Sequence, residues 1–146
     1  MQKDYRRSVC WRFAPPLIWM AIISGLSTAV FSVVQTGRIL VPILHFLLPT
    51  ASPETLDLLH AGIRKGMHVV EFAVLALLWY RTLSRRGTNW QGRIAVTALI
   101  LVVSYAGLDE VHQFFVPGRT GSVMDVGWDS LGAPLALAVH RAIWRS

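Results

Sequence analysis

The chain has 146 residues, 53% of them hydrophobic and only 15% charged, with a formal net charge of +6. A water-soluble domain of this size carries about 25% charged residues, so the deficit points to a bilayer as solvent and to a single compact unit. The basic residues flank long apolar runs instead of clustering on polar segments, which argues against nucleic-acid binding and for a membrane-topology signal. One cysteine, Cys10, excludes an intramolecular disulfide and a cysteine-rich zinc site.

Taken in chain order, residues 13–34 contain no charge, and at about 1.5 Å per residue they are long enough to cross a hydrocarbon core of roughly 30 Å. Lys3, Arg6, Arg7 and Arg12 precede this first span and place the amino terminus in the cytoplasm. Pro15 and Pro16 suit a helix entrance. Thr36 and Gly37 break the pattern. Residues 39–48 are apolar but too short to span, so they are expected at the membrane surface. The stretch Ser52-Pro53-Glu54 resembles a helix cap, and 54–65 then reads as a short amphipathic helix.

A second span follows at 66–83 and ends at Arg81, whose long side chain can snorkel to the interface. Arg81, Arg85, Arg86 and Arg93 form a basic loop. The charge-free run 94–108 extends through Asp109-Glu110-Val111-His112-Gln113 to give a third span, 94–113, ended by Pro117-Gly118. The fourth, 123–144, is interrupted at Pro134. The expected fold is therefore all-α: a bundle of four transmembrane helices in one domain, with an interfacial segment between spans 1 and 2. Three basic clusters then fall on one side, and both termini are cytoplasmic.

Five of the eight acids lie in or beside the last three spans: Glu71, Asp109, Glu110, Asp125 and Asp129. Carboxylates so close to hydrocarbon need partners and mark function, because an aspartate at a span's centre costs about 2.5 to 3.5 kcal/mol on insertion scales. The topology brings His68 and Glu71, Asp109 to Gln113, and Asp125 with Asp129 to one outer-leaflet layer. Helical spacing puts Asp109, His112 and Gln113 on one face, as it does His68 with Glu71 and Asp125 with Asp129. Glu110 falls off that face, toward a neighbouring helix.

Three chemistries are open to this set. His68, Glu71, Asp109 and His112 can ligate a divalent metal, as facing i, i+3 pairs do in bundles. One carboxylate and one histidine can act as general base and acid while Arg119 grips a phosphate or carboxylate. Or the charges form a buried network that only fixes helix packing. His45 and His60 read as interfacial or packing residues, and His140 belongs to the cytoplasmic end. Ser24, Ser27 and Ser32 read as helix-contact residues, and Arg64 and Lys65 as interface anchors or binders of anionic headgroups. Trp128, beside Asp129 near the pocket, reads as an interfacial anchor or as lining for a lipid or sugar site. Trp11, Trp79, Trp90 and Trp144 read as an aromatic belt at the cytoplasmic boundary.

The residues Arg64-Lys65-x-x-His68-x-x-Glu71-Phe72, then Asp109-Glu110-x-His112-Gln113-x-x-x-Pro117-Gly118-Arg119-x-x-Ser122-x-x-Asp125, then Asp129-x-x-Gly132 resemble the VanZ-like family. The resemblance implies a small integral membrane protein of the bacterial cell envelope, in a family linked to teicoplanin resistance. Asp129 and Phe72 stand where members often have Asn and Tyr. The resulting expectation is a protein of the cytoplasmic membrane that binds or modifies an amphiphilic envelope component, as a hydrolase or transferase or as a scaffold. Lys65 and Arg119 hold its anionic group, Glu71, Asp109 and His112 carry acid-base or metal chemistry with help from His68, and Glu110, Gln113, Asp125 and Asp129 bind or orient. Membrane lipids and that amphiphile are the expected partners.

Overall fold

The computed structural model describes residues 2–84, 90–117 and 123–143, with side chains for 11–30, 32–84, 90–117 and 123–143. These residues form five α-helices and no strand: α1 (Gln2–Leu26), α2 (Val33–Leu47), α3 (Pro53–Leu83), α4 (Gly92–Phe114) and α5 (Val123–Ile143), with a short 3-10 turn at Ala29–Phe31 before α2.

The first expected span does not run to residue 34. α1 stops at Leu26 because Gly25, Ser27 and Thr28 give the backbone other partners: Thr28 Oγ1 donates to the Gly25 carbonyl at 2.7 Å, and the Thr28 N–H uses the same oxygen. Pro15 and Pro16 lie within α1, not at its entrance. Thr36 and Gly37 do not break the chain either. Thr36 Oγ1 donates back to the Ser32 carbonyl at 2.9 Å inside a continuous α2.

The amphipathic helix of 54–65 and the span of 66–83 are one helix. α3 starts on a Ser52 cap, whose hydroxyl accepts from the Thr55 N–H, with Pro53 in the first turn. The Glu54 carboxyl, hydrogen-bonded to Ser52, sits below its ordinary pKa. No breaker occurs before Ser84, so the 31 residues extend about 46 Å, well beyond a roughly 30 Å core. α4 and α5 lie close to the expected 94–113 and 123–144, and Pro134 sits inside α5.

α3 is the central helix, packed on α1, α2, α4 and most extensively α5. Ile23, Phe72, Leu75, Val102, Ala106 and Leu137 form the heart of the apolar core. At one end, Arg12 Nη2 donates to the carbonyls of Thr82 (2.8 Å) and Ser84 (3.1 Å), and Thr82 Oγ1 returns a bond to the Arg12 carbonyl. Tyr80 stacks on Trp90 with centroids 4.8 Å apart, and His140 meets Tyr80 edge-on. This antiparallel arrangement carries the start of α3's apolar half, the end of α4 and the start of α5 to the opposite end.

Among the described residues, one helix, α4, is long and apolar enough to cross a membrane. α2 is apolar but has only 15 residues, and none of them is buried. The outer surface is rich in large apolar side chains, with Phe46 83% exposed, while Asp109 (2%), Asp129 (4%) and Glu110 (7%) are inside.

Candidate functional site

Asp109 anchors the polar interior. Its Oδ2 accepts from Ser27 Oγ at 2.6 Å and from Gln113 Nε2, one turn along α4, at 2.8 Å. Ser27 reaches it because α1 ends there, one turn beyond Ser24, which bonds the Tyr105 hydroxyl at 2.8 Å. Asp109 Oδ1 is buried with no hydrogen-bond partner among the described residues.

The second group forms where α5 crosses α3. Gly132 has no side chain to separate the helices, and a Cβ there would overlap the Val69 carbonyl. Asp129, one turn earlier on the same face, is thereby drawn to α3. His68 Nδ1 lies 3.5 Å from Glu71 Oε2 and 4.0 Å from Asp129 Oδ2, so one imidazole faces two carboxylates from two helices. Glu110, Asp109, Asp125 and Glu71 all act electrostatically on Asp129. An imidazole facing carboxylates at these distances is placed for proton exchange, and the buried setting strengthens each charge interaction. Above this group Lys65 Nζ meets Asp125 Oδ1 at 3.1 Å and lies 5.7 Å from the Trp128 ring centroid, tying α3 to α5 at the more exposed rim.

A cavity of about 640 Å³ opens beside the His68–Glu71 pair, between α3 and the segment running from the end of α1 into α2. Leu26, Val30, Ile39, Leu40, Ile63 and Met67 give it apolar walls, and Gln35, Thr36, Arg64, His68 and Glu71 supply its polar groups. Such a mixture, within the usual 300 to 1,000 Å³ of ligand pockets, suits an amphiphile. Trp19 Nε1 donates to the Glu71 carbonyl at 2.9 Å and ties this part of α3 to α1. Another cavity, about 490 Å³ between α4 and α5 near Trp90 and Arg141, is lined by neither histidine nor carboxylate.

The structure thus brings His68, Glu71, Asp109, Gln113 and Asp129 inward, with Glu110 buried and Asp125 at the rim. One expectation fails on helix geometry. His112 does not share the face of Asp109 and Gln113 but is exposed. At about 100° per residue it lies roughly 90° from the centre of a buried stripe through Val102, Ala106, Asp109 and Gln113. Glu110, expected off that face and toward a neighbouring helix, falls on the stripe's other edge and is buried.

The expected metal set of His68, Glu71, Asp109 and His112 does not assemble, and among the described residues no three His, Cys, Asp or Glu side chains are grouped to hold a metal ion. Lys65 is engaged with Asp125 and does not line the cavity. Arg119 lies outside the described residues. Sequence reasoning passed over Gln35, read Thr36 as a break and Ser27 as a helix-contact residue, and took Arg64 as an interface anchor or a binder of anionic headgroups. Only the fold shows that α2 turns back along α3 and that α1 ends against α4.

Searches of curated proteins and of solved structures give no match. The family model VanZ/LLP1 matches residues 13–144, which includes every helix described above except the beginning of α1. The match covers the Arg64 to Glu71 stretch of α3, the Asp109 to Gln113 end of α4 and the Asp125 to Gly132 start of α5, and the chain belongs to the VanZ/LLP1 family.

Proposed function

We propose that the chain is a multi-pass protein of the bacterial cytoplasmic membrane that binds or modifies an amphiphilic envelope component at its internal polar layer. In this reading α1, the second half of α3, α4 and α5 cross the bilayer with both termini cytoplasmic. The inverted distribution of polarity supports it, since exposed Val30, Ile39, Phe46, Val123 and Leu135 are tolerable in lipid and an aggregation hazard in water. The basic residues Arg12, Arg81, Arg93 and Arg141 share the opposite end from the carboxylates, as the positive-inside rule asks.

The observation that carries the functional reading is the apolar-walled cavity ending on the His68–Glu71 pair. Glu71 and His68 contact the ligand's polar part and exchange protons with it, Asp129 orients His68 from the far side, and Asp109 with Ser27 and Gln113 holds α1 and α4 in place behind them. The substrate class is a lipid-linked wall precursor, an envelope polymer or a phospholipid. A lipid-linked wall precursor is the member of this class that fits the resemblance to a family linked to teicoplanin resistance.

The test is native mass spectrometry of the full chain released from nanodiscs made with bacterial lipid extract. A retained amphiphile that is lost when Leu40→Trp or Met67→Trp fills the cavity supports the proposal. Equal retention by correctly folded filled variants sinks it.

A second reading, a purely structural polar lock, is favoured by the bonds of Asp109 to Ser27 and Gln113. It predicts that Glu71→Gln lowers thermal stability and leaves lipid retention unchanged, whereas the first reading predicts lost retention.

A further inference from the structure

We infer that the cavity between α2 and α3 recognises the phosphate of an anionic lipid, with Arg64 as the anion-binding residue. This rests on the reading of that cavity as an amphiphile site and names the amphiphile's headgroup.

The guanidinium is placed by a chain of contacts that the apolar walls do not require. Arg64 Nη1 donates to Thr36 Oγ1 at 2.9 Å. Thr36 Oγ1 also lies 3.0 Å from His60 Nε2 and donates to the Ser32 carbonyl, so the hydroxyl is fixed from α2 and α3 together. His60 is buried, and the absence of a side chain at Gly37 makes room for it, since a Cβ there would come within 3.3 Å of its ring. Thr36, itself fixed by His60 and the Ser32 carbonyl, therefore anchors one planar cation at a cavity wall. Arginine in a fixed plane offers paired N–H donors that match two phosphate oxygens. Gln35, also on the wall, adds an amide.

Charge sets the ligand's register. Arg64 and Glu71 both line the cavity, two turns apart on the same face of α3, or about 10 Å along its axis. An anion is drawn to the Arg64 end and repelled from Glu71, which leaves the rest of the headgroup region beside the His68–Glu71 pair. Leu26, Val30, Ile39 and Leu40 provide the hydrocarbon contact. A lipid phosphate satisfies both ends of this arrangement. Free phosphate uses only Arg64, and an uncharged diacylglycerol only the apolar wall.

The experiment places the full chain in phosphatidylcholine nanodiscs doped with phosphatidic acid or with diacylglycerol of the same acyl chains, and counts retained lipid by native mass spectrometry. The expected result is one phosphatidic acid per chain, about tenfold preferred over diacylglycerol, with that preference lost in Arg64→Gln and partly recovered in Arg64→Lys. Arg93→Gln, at the other end of the bundle, leaves it unchanged. Thr36→Val, which frees the guanidinium plane but keeps its charge, lowers the preference and serves if Arg64→Gln does not fold.

Equal retention of the two lipids, with no effect of Arg64→Gln, overturns the inference while the amphiphile reading stands. Retention of neither lipid overturns the inference, and the amphiphile reading falls with it only if the chain also retains nothing from bacterial lipid extract. Displacement of phosphatidic acid by millimolar inorganic phosphate that itself stays bound overturns the lipid assignment in favour of a free-phosphate site.

Discussion

Gly132 on α5 lies directly against Val69 on α3, so close that a methyl group on Gly132 would overlap the Val69 carbonyl oxygen and crowd the Ala73 amide. Backbone cannot move aside as a flexible side chain can, so Gly132→Ala forces the two most extensively packed helices apart. The expected loss is about 1 to 3 kcal/mol of stability, together with separation of Asp129 from His68. Gly127, on the same helix with open space around its Cβ position, is the control. Gly127→Ala is expected to be neutral or to stabilise by up to about 1 kcal/mol through helix propensity. Denaturation in detergent compares the two, and equal behaviour would show that the α3–α5 contact is not set by Gly132.

Asp109 depends on two donors from different parts of the fold. Ser27→Ala and Gln113→Ala each leave Asp109 Oδ2 with one bond in a buried site, and each should cost about 1 to 3 kcal/mol. Ser27 also joins α1 to α4, so its loss should loosen α1, whereas Gln113 acts within α4. The double variant should show coupling of at least about 0.5 kcal/mol because both donors serve one oxygen. Hydrogen exchange over residues 17–26 checks the difference, with faster exchange expected for Ser27→Ala alone.

Much of this layer was legible because helical spacing is local. His68 with Glu71 and Asp109 with Gln113 follow from 3.6 residues per turn, and the apolar runs place α4 and α5 almost to the residue. The failures are of two kinds. The end of α1 at Leu26 is decided by hydroxyl and carbonyl partners around Ser27 and Thr28, which hydropathy does not register, and α3 continues through 65 because nothing after Ser52 stops it. The Arg64–Thr36–His60 contact joins residues far apart in sequence across two helices. No pattern within either segment announces it, and Thr36-Gly37 even reads as a break. The exposure of His112 turns on which edge of one helix faces its neighbours, an angle that periodicity leaves ambiguous without knowing where those neighbours lie.

His112 and Glu110, two residues apart on α4, make a sharp comparison. His112 is exposed, and His112→Ala should change stability by no more than about 0.5 kcal/mol. Lipid retention should also be unchanged. Glu110 is buried, so Glu110→Ala leaves a cavity and should cost at least about 1 kcal/mol more than His112→Ala, even though it also removes a like charge near Asp129. Parallel thermal unfolding of the two variants measures it. A larger loss at His112 would restore that residue to the interior face and redraw the end of α4.

Lys65 and Asp125 tie α3 to α5 at the rim, but Lys65 is about half exposed and Asp125 about a third, so water and salt screen the pair. Lys65→Gln is expected to cost no more than about 1 kcal/mol, less in high salt than in low. Part of the loss should remain in high salt, because the lysine's contact with the Trp128 ring is less dependent on mobile ions. A Trp128→Leu change should remove that remainder, and the double variant should lose little beyond the sum of the charge and ring contributions. If the rim instead closes over a bound anion, the salt response of Lys65→Gln should grow when phosphatidic acid is present. With Lys65 committed to Asp125 and Arg64 to the cavity, it should stay the same with or without that lipid, and unfolding curves at two ionic strengths decide the matter.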